Sequence, residues 1–157
     1  MLCQSFHAWH KMTAKSFYEK VMFPFTVRRQ ERLRESRLNQ TFEKFLSEFP
    51  ASPIREKFVN KLWDFFRECA LVNDFRPCPD DDIEYIYKID IIELLEDYVA
   101  FWLEDLGYDL EKFDFSKYDI NYIRTPLDIY KLVLDMESAI KFHMGKEGRF
   151  LVAQRKL

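Results

Sequence analysis

The sequence predicts an all-α protein, a single-domain bundle of four to five helices. Apolar residues recur at helical spacing in several separate blocks, and helix-start signals stand in front of those blocks. Glycine is scarce: three Gly and six Pro in 157 residues leave few sites for the tight turns that an all-β chain needs. A chain of this length buries a core without staples, and sixteen Phe, eight Tyr and three Trp make rings its main filling.

Residues 12–22 are expected to form a short helix closed by Pro24. From Val27 to Phe49, the positions Leu38, Phe42, Phe45, Leu46 and Phe49 repeat with helical period, and the first half carries Arg28, Arg29, Arg32, Arg34 and Arg37. Pro50 and Pro53 break that run. Ser52 followed by Pro53 reads as an N-cap with Pro at the first helical position. The helix after it, to about Ala70, carries the stripe Ile54, Phe58, Leu62, Phe65, Phe66 and Cys69. A loop from Leu71 to Pro79 follows, and Asp80, Asp81 or Asp82 caps a short turn through Ile86.

The strongest pattern runs from Asp90 to Leu106. Ile92, Leu95, Val99, Trp102, Leu103 and Leu106 make one apolar face, Ile91, Leu94, Tyr98 and Phe101 a second, and Gly107 stands at the C-cap. Residues 108–124 are irregular, with Phe113, Phe115, Tyr118 and Tyr122 expected to fold back on the core. Thr125-Pro126-Leu127-Asp128 starts the last helix, whose face is Ile129, Val133, Met136 and Ile140 and which ends near Gly145. This divides the chain into an N-terminal basic helical extension (1–50), a helical core domain (51–145) and a basic C-terminal tail (146–157).

Charge is laid out unevenly. Residues 80–119 hold fourteen carboxylates against Lys88, Lys112 and Lys117, a net −11, whereas residues 1–57 carry a net +5. A field of that size steers a basic partner or holds the chain's own halves together. The surface expected to engage a basic protein partner comprises Asp81, Glu84, Tyr87, Asp90, Glu93, Glu96, Asp97, Tyr98, Glu104 and Asp105. Tyr87 and Tyr98, flanked by charges, are the rings expected outside; Phe101 and Trp102 are expected in the core. The arginines of residues 28–37 are expected to pair with the acidic segment or flank an interface, since the guanidinium fork meets carboxylates bidentately. Glu31 and Glu35 among them, and the acidic half, make nucleic acid the lesser alternative.

Chemistry-bearing motifs are thin. Glu93 with Asp97, and Asp90 with Glu93, read as a solvated helix face rather than a hydrolytic pair. Asp80-Asp81-Asp82…Glu84 lacks the central Gly and terminal Glu of a calcium loop. Cys3, His7 and His10 offer three ligands where structural zinc wants four, and His143 stands alone near a helix end. Cys69 lies on an apolar stripe, Cys78 between two prolines has no motif around it, and Gly107, Gly145 and Gly148 cannot form a phosphate loop. No catalytic residue, metal or cofactor is expected. Three cysteines without paired spacing suit a reducing compartment. No run of about 18 apolar residues occurs, and the start MLCQSFHAWHKM, with a second Met at position 12, lacks the order of a secretory signal. A cytoplasmic location is expected.

Two runs carry a resemblance to a known family. Asp90-Ile91-Ile92-Glu93-Leu94 resembles the start of helix two of the acyl carrier proteins, and Ile123-Arg124-Thr125-Pro126-Leu127-Asp128-Ile129 resembles the start of their last helix. The order of elements over about 53–135 is similar to that fold as well. The resemblance implies a carrier-like core with an acidic docking surface. It departs where Lys88 occupies the position of the serine that carries phosphopantetheine, because an amine cannot form that phosphodiester. The expected function is therefore non-catalytic protein binding, as an immunity- or antitoxin-type protein or a carrier-like scaffold. The rival from another class is an acyl carrier modified elsewhere, at Ser116 or Ser138.

Overall fold

The computed structural model describes residues 23–108, 115 and 118–138; among them the chain is helical and holds no strand. The expected helix over 12–22, Phe113, Ile140 and the tail over 146–157 lie outside the described residues. Six helices follow in order: α1 (Pro24–Ser36), α2 (Phe42–Ser47), α3 (Arg55–Cys69), α4 (Ile83–Tyr87), α5 (Ile91–Glu93, Leu94–Val99 and Ala100–Asp105 in continuous succession) and α6 (126–138). The 3₁₀ turn Ile120–Tyr122 precedes α6.

The run expected as one helix from Val27 to Phe49 is two. The backbone leaves helical geometry at 37–41, where Thr41 is extended and its hydroxyl accepts from Lys44 N at 3.3 Å to start α2. The carbonyls freed by the break find donors: Arg76 reaches the Leu38 and Gln40 oxygens, and Lys44 Nζ reaches Asn39 O at 2.9 Å. Ser52 does not cap α3. Its hydroxyl lies 2.7 Å from the Tyr130 hydroxyl, which donates to Pro50 O at 2.8 Å, so α3 starts later, at Arg55. Side chains 78 residues away in sequence claim this cap, a tertiary demand that a local pattern does not carry.

Other start and stop signals act locally. Thr125 and Asp128 close a reciprocal box: Asp128 N donates to Thr125 Oγ1 at 3.2 Å, and Thr125 N donates to Asp128 Oδ2 at 3.1 Å. Gly107 has φ +88°, and the bonds Gly107 N to Glu104 O (2.8 Å) and Tyr108 N to Leu103 O (3.0 Å) form a Schellman end to α5.

The core is aromatic. Phe58, Leu62 and Phe66 of α3 meet Leu94, Leu95, Val99 and Leu103 of α5 and Ile129, Tyr130 and Val133 of α6, all fully or almost fully buried. Ring pairs tie the layers together, with Phe58 6.0 Å from Trp102, Phe49 5.3 Å from Tyr130 and Phe66 4.8 Å from Tyr87. Tyr122, expected against the core, is half exposed in its 3₁₀ turn.

α1 docks differently. Its buried residues are Thr26 and Gln30. The Gln30 amide donates to Ile86 O at 2.8 Å and accepts from Leu71 N and Val72 N at 2.8 and 3.2 Å. One side chain thus satisfies backbone groups of α4 and of the loop between α3 and α4, which would otherwise be orphaned in the interior.

Two substitutions separate backbone from packing effects. Gly107→Ala meets no atom within 4 Å, so its loss, about 1 kcal/mol in urea denaturation, reports positive φ alone. Phe58→Ala empties a fully buried site and is expected to lose about 3–5 kcal/mol by the same measurement.

Candidate functional site

Asp81 is the inward-facing member of the acidic set, and its side chain is 1% exposed. Arg37 grips it bidentately, Nη1 to Oδ2 at 2.9 Å and Nη2 to Oδ1 at 2.5 Å. The Tyr87 hydroxyl donates to Oδ2 at 2.7 Å, and Cys78 N donates to the same oxygen at 2.9 Å. Arg37 also donates to Arg76 O at 3.2 Å and lies over the Phe75 ring at 5.2 Å. Tyr87 is 5% exposed, its ring tilted against Phe66 and edge-on to Phe75. Asp81 and Tyr87 were expected on the docking surface; they are instead partners in the interior, because a buried carboxylate needs donors and this loop brings them together.

Charges in this hub are mutually sustained. Burial works against the Arg37 cation, but the hydrogen bond to Asp81 and its charge outweigh burial and raise the guanidinium pKa. Burial first, and then the Asp81 charge, push the Tyr87 phenol well above its ordinary 10.0. Cys78, Asp80 and Asp81 bring ligand atoms within 4.8 Å of one another. Both Asp81 oxygens already accept hydrogen bonds, however, and burial pushes the Cys78 thiol up to about 11, so the cluster is occupied by its own protons and donors. The Cys69 thiol is pushed up to about 12, chiefly by burial. Neither cysteine is a thiolate at neutral pH.

The remaining candidates behave as a surface. Glu84, Asp90, Glu93, Glu96, Asp97, Glu104 and Asp105 are exposed. Asp105 meets Lys61 Nζ at 2.5 Å; being solvated, that pair contributes little. Glu84, Glu93, Glu96, Asp97 and Glu104 form no ion pair among the described residues. Tyr98 is half-buried, 4.7 Å from Phe65 and 6.4 Å from Trp102. Asp109, Glu111 and Asp114 lie outside the described residues.

One turn of α5 decides how this face is composed. In a regular α-helix, residues seven apart fall about 20° from one another, so Phe101 would lie over Leu94 inside the core. Instead the turn Leu94–Val99 is π-helical, with Ala100 N bonded to Leu95 O. The wider turn takes up nearly one extra residue and rotates everything after it. The core repeat across it becomes eight: Leu94 passes to Trp102 and Leu95 to Leu103, all four buried. By the same shift Phe101 follows Glu93 on the outside and is 51% exposed, with Asp97 four residues before it and Glu104 and Asp105 just after. Ile92, expected inside, is 52% exposed. The apolar spacing read as a straight helix therefore put Ile92 and Phe101 on the wrong side, and no local signal marks the π turn.

The basic helix is partly engaged. Arg29 lies over the Tyr85 ring at 3.1 Å and donates to the Tyr85 carbonyl, and Arg37 holds Asp81. Arg28 and Arg32 are exposed beside Glu31 and Glu35, and Arg34 is half-buried. Lys88 is exposed at the C-cap of α4 with φ +59°. The Ser138 hydroxyl donates to Leu134 O at 2.9 Å, and Ser116 lies outside the described residues. No described helix is long and apolar enough to cross a membrane.

Two measurements probe the hub. Arg37→Ala takes the cation away from the buried Asp81 carboxyl and is expected to lose about 3–5 kcal/mol of stability in urea denaturation. In a pH series, Tyr87 and Tyr108 hold their protons above the ordinary 10.0, Tyr108 up to about 12 through burial and its bond to Glu137. Above about pH 10 the unfolded chain releases protons that the folded chain keeps. Stability is therefore full below that point and falls as pH rises past it. Tyr87→Phe should flatten the fall in urea midpoints.

Comparison with known proteins finds no family model, no curated protein and no solved structure that matches this chain.

Proposed function

We propose that this protein is a non-catalytic binding protein whose acidic α5 face engages a basic protein partner. The observation that carries the proposal is Phe101, a half-exposed ring among Glu93, Asp97, Glu104 and Asp105. A solvated carboxylate face needs no partner to be stable, and a lone exposed ring is common. The combination is different, since an aromatic anchor inside a charged rim is how interfaces concentrate binding energy and exclude the wrong partner. Ile92 extends the apolar strip toward the start of α5.

The chemistry of the partner follows from the rim. Lysines and arginines around an apolar socket would meet Phe101 and the carboxylates together, associating quickly at low salt and slowly when charges are screened. An immunity- or antitoxin-type protein that covers a basic effector has this form, and so does a carrier-like scaffold that docks its partners through an acidic helix. Arg29 and Arg37 are engaged within the protein, and Glu31 and Glu35 flank the exposed arginines, which favours a protein partner over a polyanion.

Co-purification at low and at high salt tests this, with parent protein, Phe101→Ala and Asp97→Lys/Glu104→Lys. All three positions are exposed, so folding should be intact by circular dichroism. The expected partner is basic, is released by salt, and binds Phe101→Ala at least tenfold more weakly, about 1.4 kcal/mol. An acidic partner, or one held equally by all three proteins, rejects the proposal.

A further inference from the structure

A hollow of about 200 Å³ opens beside the head of α5, between α4, the first turn of α5 and the 3₁₀ turn before α6. Asp82, Glu84 and Asp90 line it, together with Ile92, Ile123 and Arg124. We propose that this hollow receives one lysine or arginine side chain of the basic partner. The inference rests on the docking function above and names the contact at one end of that face. Ile92 belongs to both, lining the hollow and standing exposed beside Glu93.

Size argues for a single side chain. Small-molecule sites run to roughly 300–1,000 Å³, and this hollow is smaller, about right for one long side chain. Its isoleucines suit the aliphatic stem that lysine and arginine lay along apolar surface while the charged head stays with polar groups.

Charge argues for a cation. Three carboxylates and one guanidinium belong to lining residues, a net negative set. Two of those carboxylates are held in place by capping bonds: Asp82 Oδ1 accepts from Tyr85 N at 2.7 Å, and Asp90 Oδ1 accepts from Ile92 N and Glu93 N at 2.8 and 3.0 Å. In each case Oδ2 has no partner among the described residues. The caps thus fix the orientation of two acids while leaving an oxygen of each for an incoming head group, which lowers the ordering cost of binding. Arg124 makes no ion pair among the described residues and supplies donors for the backbone carbonyls that flank an inserted side chain.

The probes are Nα-acetyl-lysine methylamide, its arginine counterpart and the uncharged Nα-acetyl-norleucine methylamide, each titrated into the full chain. The readout is amide shifts of Ile92, Asn121 and Ile123 in ¹⁵N spectra. The expected result is saturable shifts with both cationic probes and none with norleucine. Asp82→Asn/Glu84→Gln/Asp90→Asn keeps both caps, because Asn caps as well as Asp, and should weaken the cationic probes at least tenfold. Glu84→Lys, at an exposed position without a capping role, should do the same without touching either cap. Norleucine shifts equal to those of lysine, absence of saturable shifts with lysine and arginine, or cationic probes that bind both variants unchanged would each overturn the assignment. The two proposals fail separately. Saturable lysine shifts alongside a partner indifferent to Phe101→Ala remove the face and keep the hollow; a partner lost by Phe101→Ala with no lysine shift does the reverse.

Discussion

The buried carboxylate of Asp81 organises this molecule. Asp81 accepts from the Arg37 fork, the Tyr87 hydroxyl and the Cys78 amide, and in doing so locks the end of the basic first helix to the start of the acidic segment. Removing two ions from water is expensive, and their attraction offsets that only when every remaining donor and acceptor is matched. Here the matching is complete on the carboxylate side. Such a hub adds less to stability than apolar packing of the same volume would, but it admits one arrangement of its neighbours. Gln30 works in the same way a few residues earlier, bonding the Ile86 carbonyl and the Leu71 and Val72 amides. The basic helix is thus attached by directional polar bonds rather than by an oily face.

With one acid turned inward, other described acids of the segment take two tasks. Asp82, Asp90 and Asp119 cap the turns that follow them, placing negative charge where helix amides are unsatisfied. Glu84, Glu93, Glu96, Asp97 and Glu104 face solvent. The net −11 of residues 80–119 is therefore neither all structural nor all displayed. The displayed part lies along α5, and its character depends on the π-helical turn, which carries Phe101 out of the core and Trp102 into it. A helix that packs its rings against Phe58 and Phe65 on one side thereby offers a ring among carboxylates on the other.

The caps connect these two tasks. A carboxylate whose first oxygen is bound to backbone amides is oriented before any partner arrives, and its second oxygen remains available. Asp82 and Asp90 stand at the starts of successive helices and line the same hollow, so the device that begins α4 and α5 also builds an acidic rim over isoleucines. One oxygen of each carboxylate starts a helix, and the other is the one the proposed recognition would use.

Much of this was legible in the chain itself. Period-3.6 apolar spacing located α3 and α6, Gly107 marked the end of α5, and the Thr125–Asp128 start closed as a reciprocal box; each depends on residues within one or two turns of each other. The exposure of Glu84, Glu93, Glu96, Asp97 and Glu104 follows from the cost of burying an unpaired charge, which is also a local property. Four outcomes belonged to the tertiary structure. Asp81 and Tyr87 were drawn inside because Arg37, 44 residues from Asp81, arrives to pair with it. Ser52 gave up its cap to Tyr130, 78 residues away. The helix expected through Val27–Phe49 broke where Arg76 could satisfy the freed carbonyls. Ile92 and Phe101 were exposed because one turn of α5 widened to keep Leu94, Leu95, Trp102 and Leu103 in the same core. Sequence alone marks helix ends whose signals close within a turn, as at Gly107 and Thr125–Asp128; which cap is surrendered, which acid goes inward and which ring comes out are decided by partners that only folding brings into range.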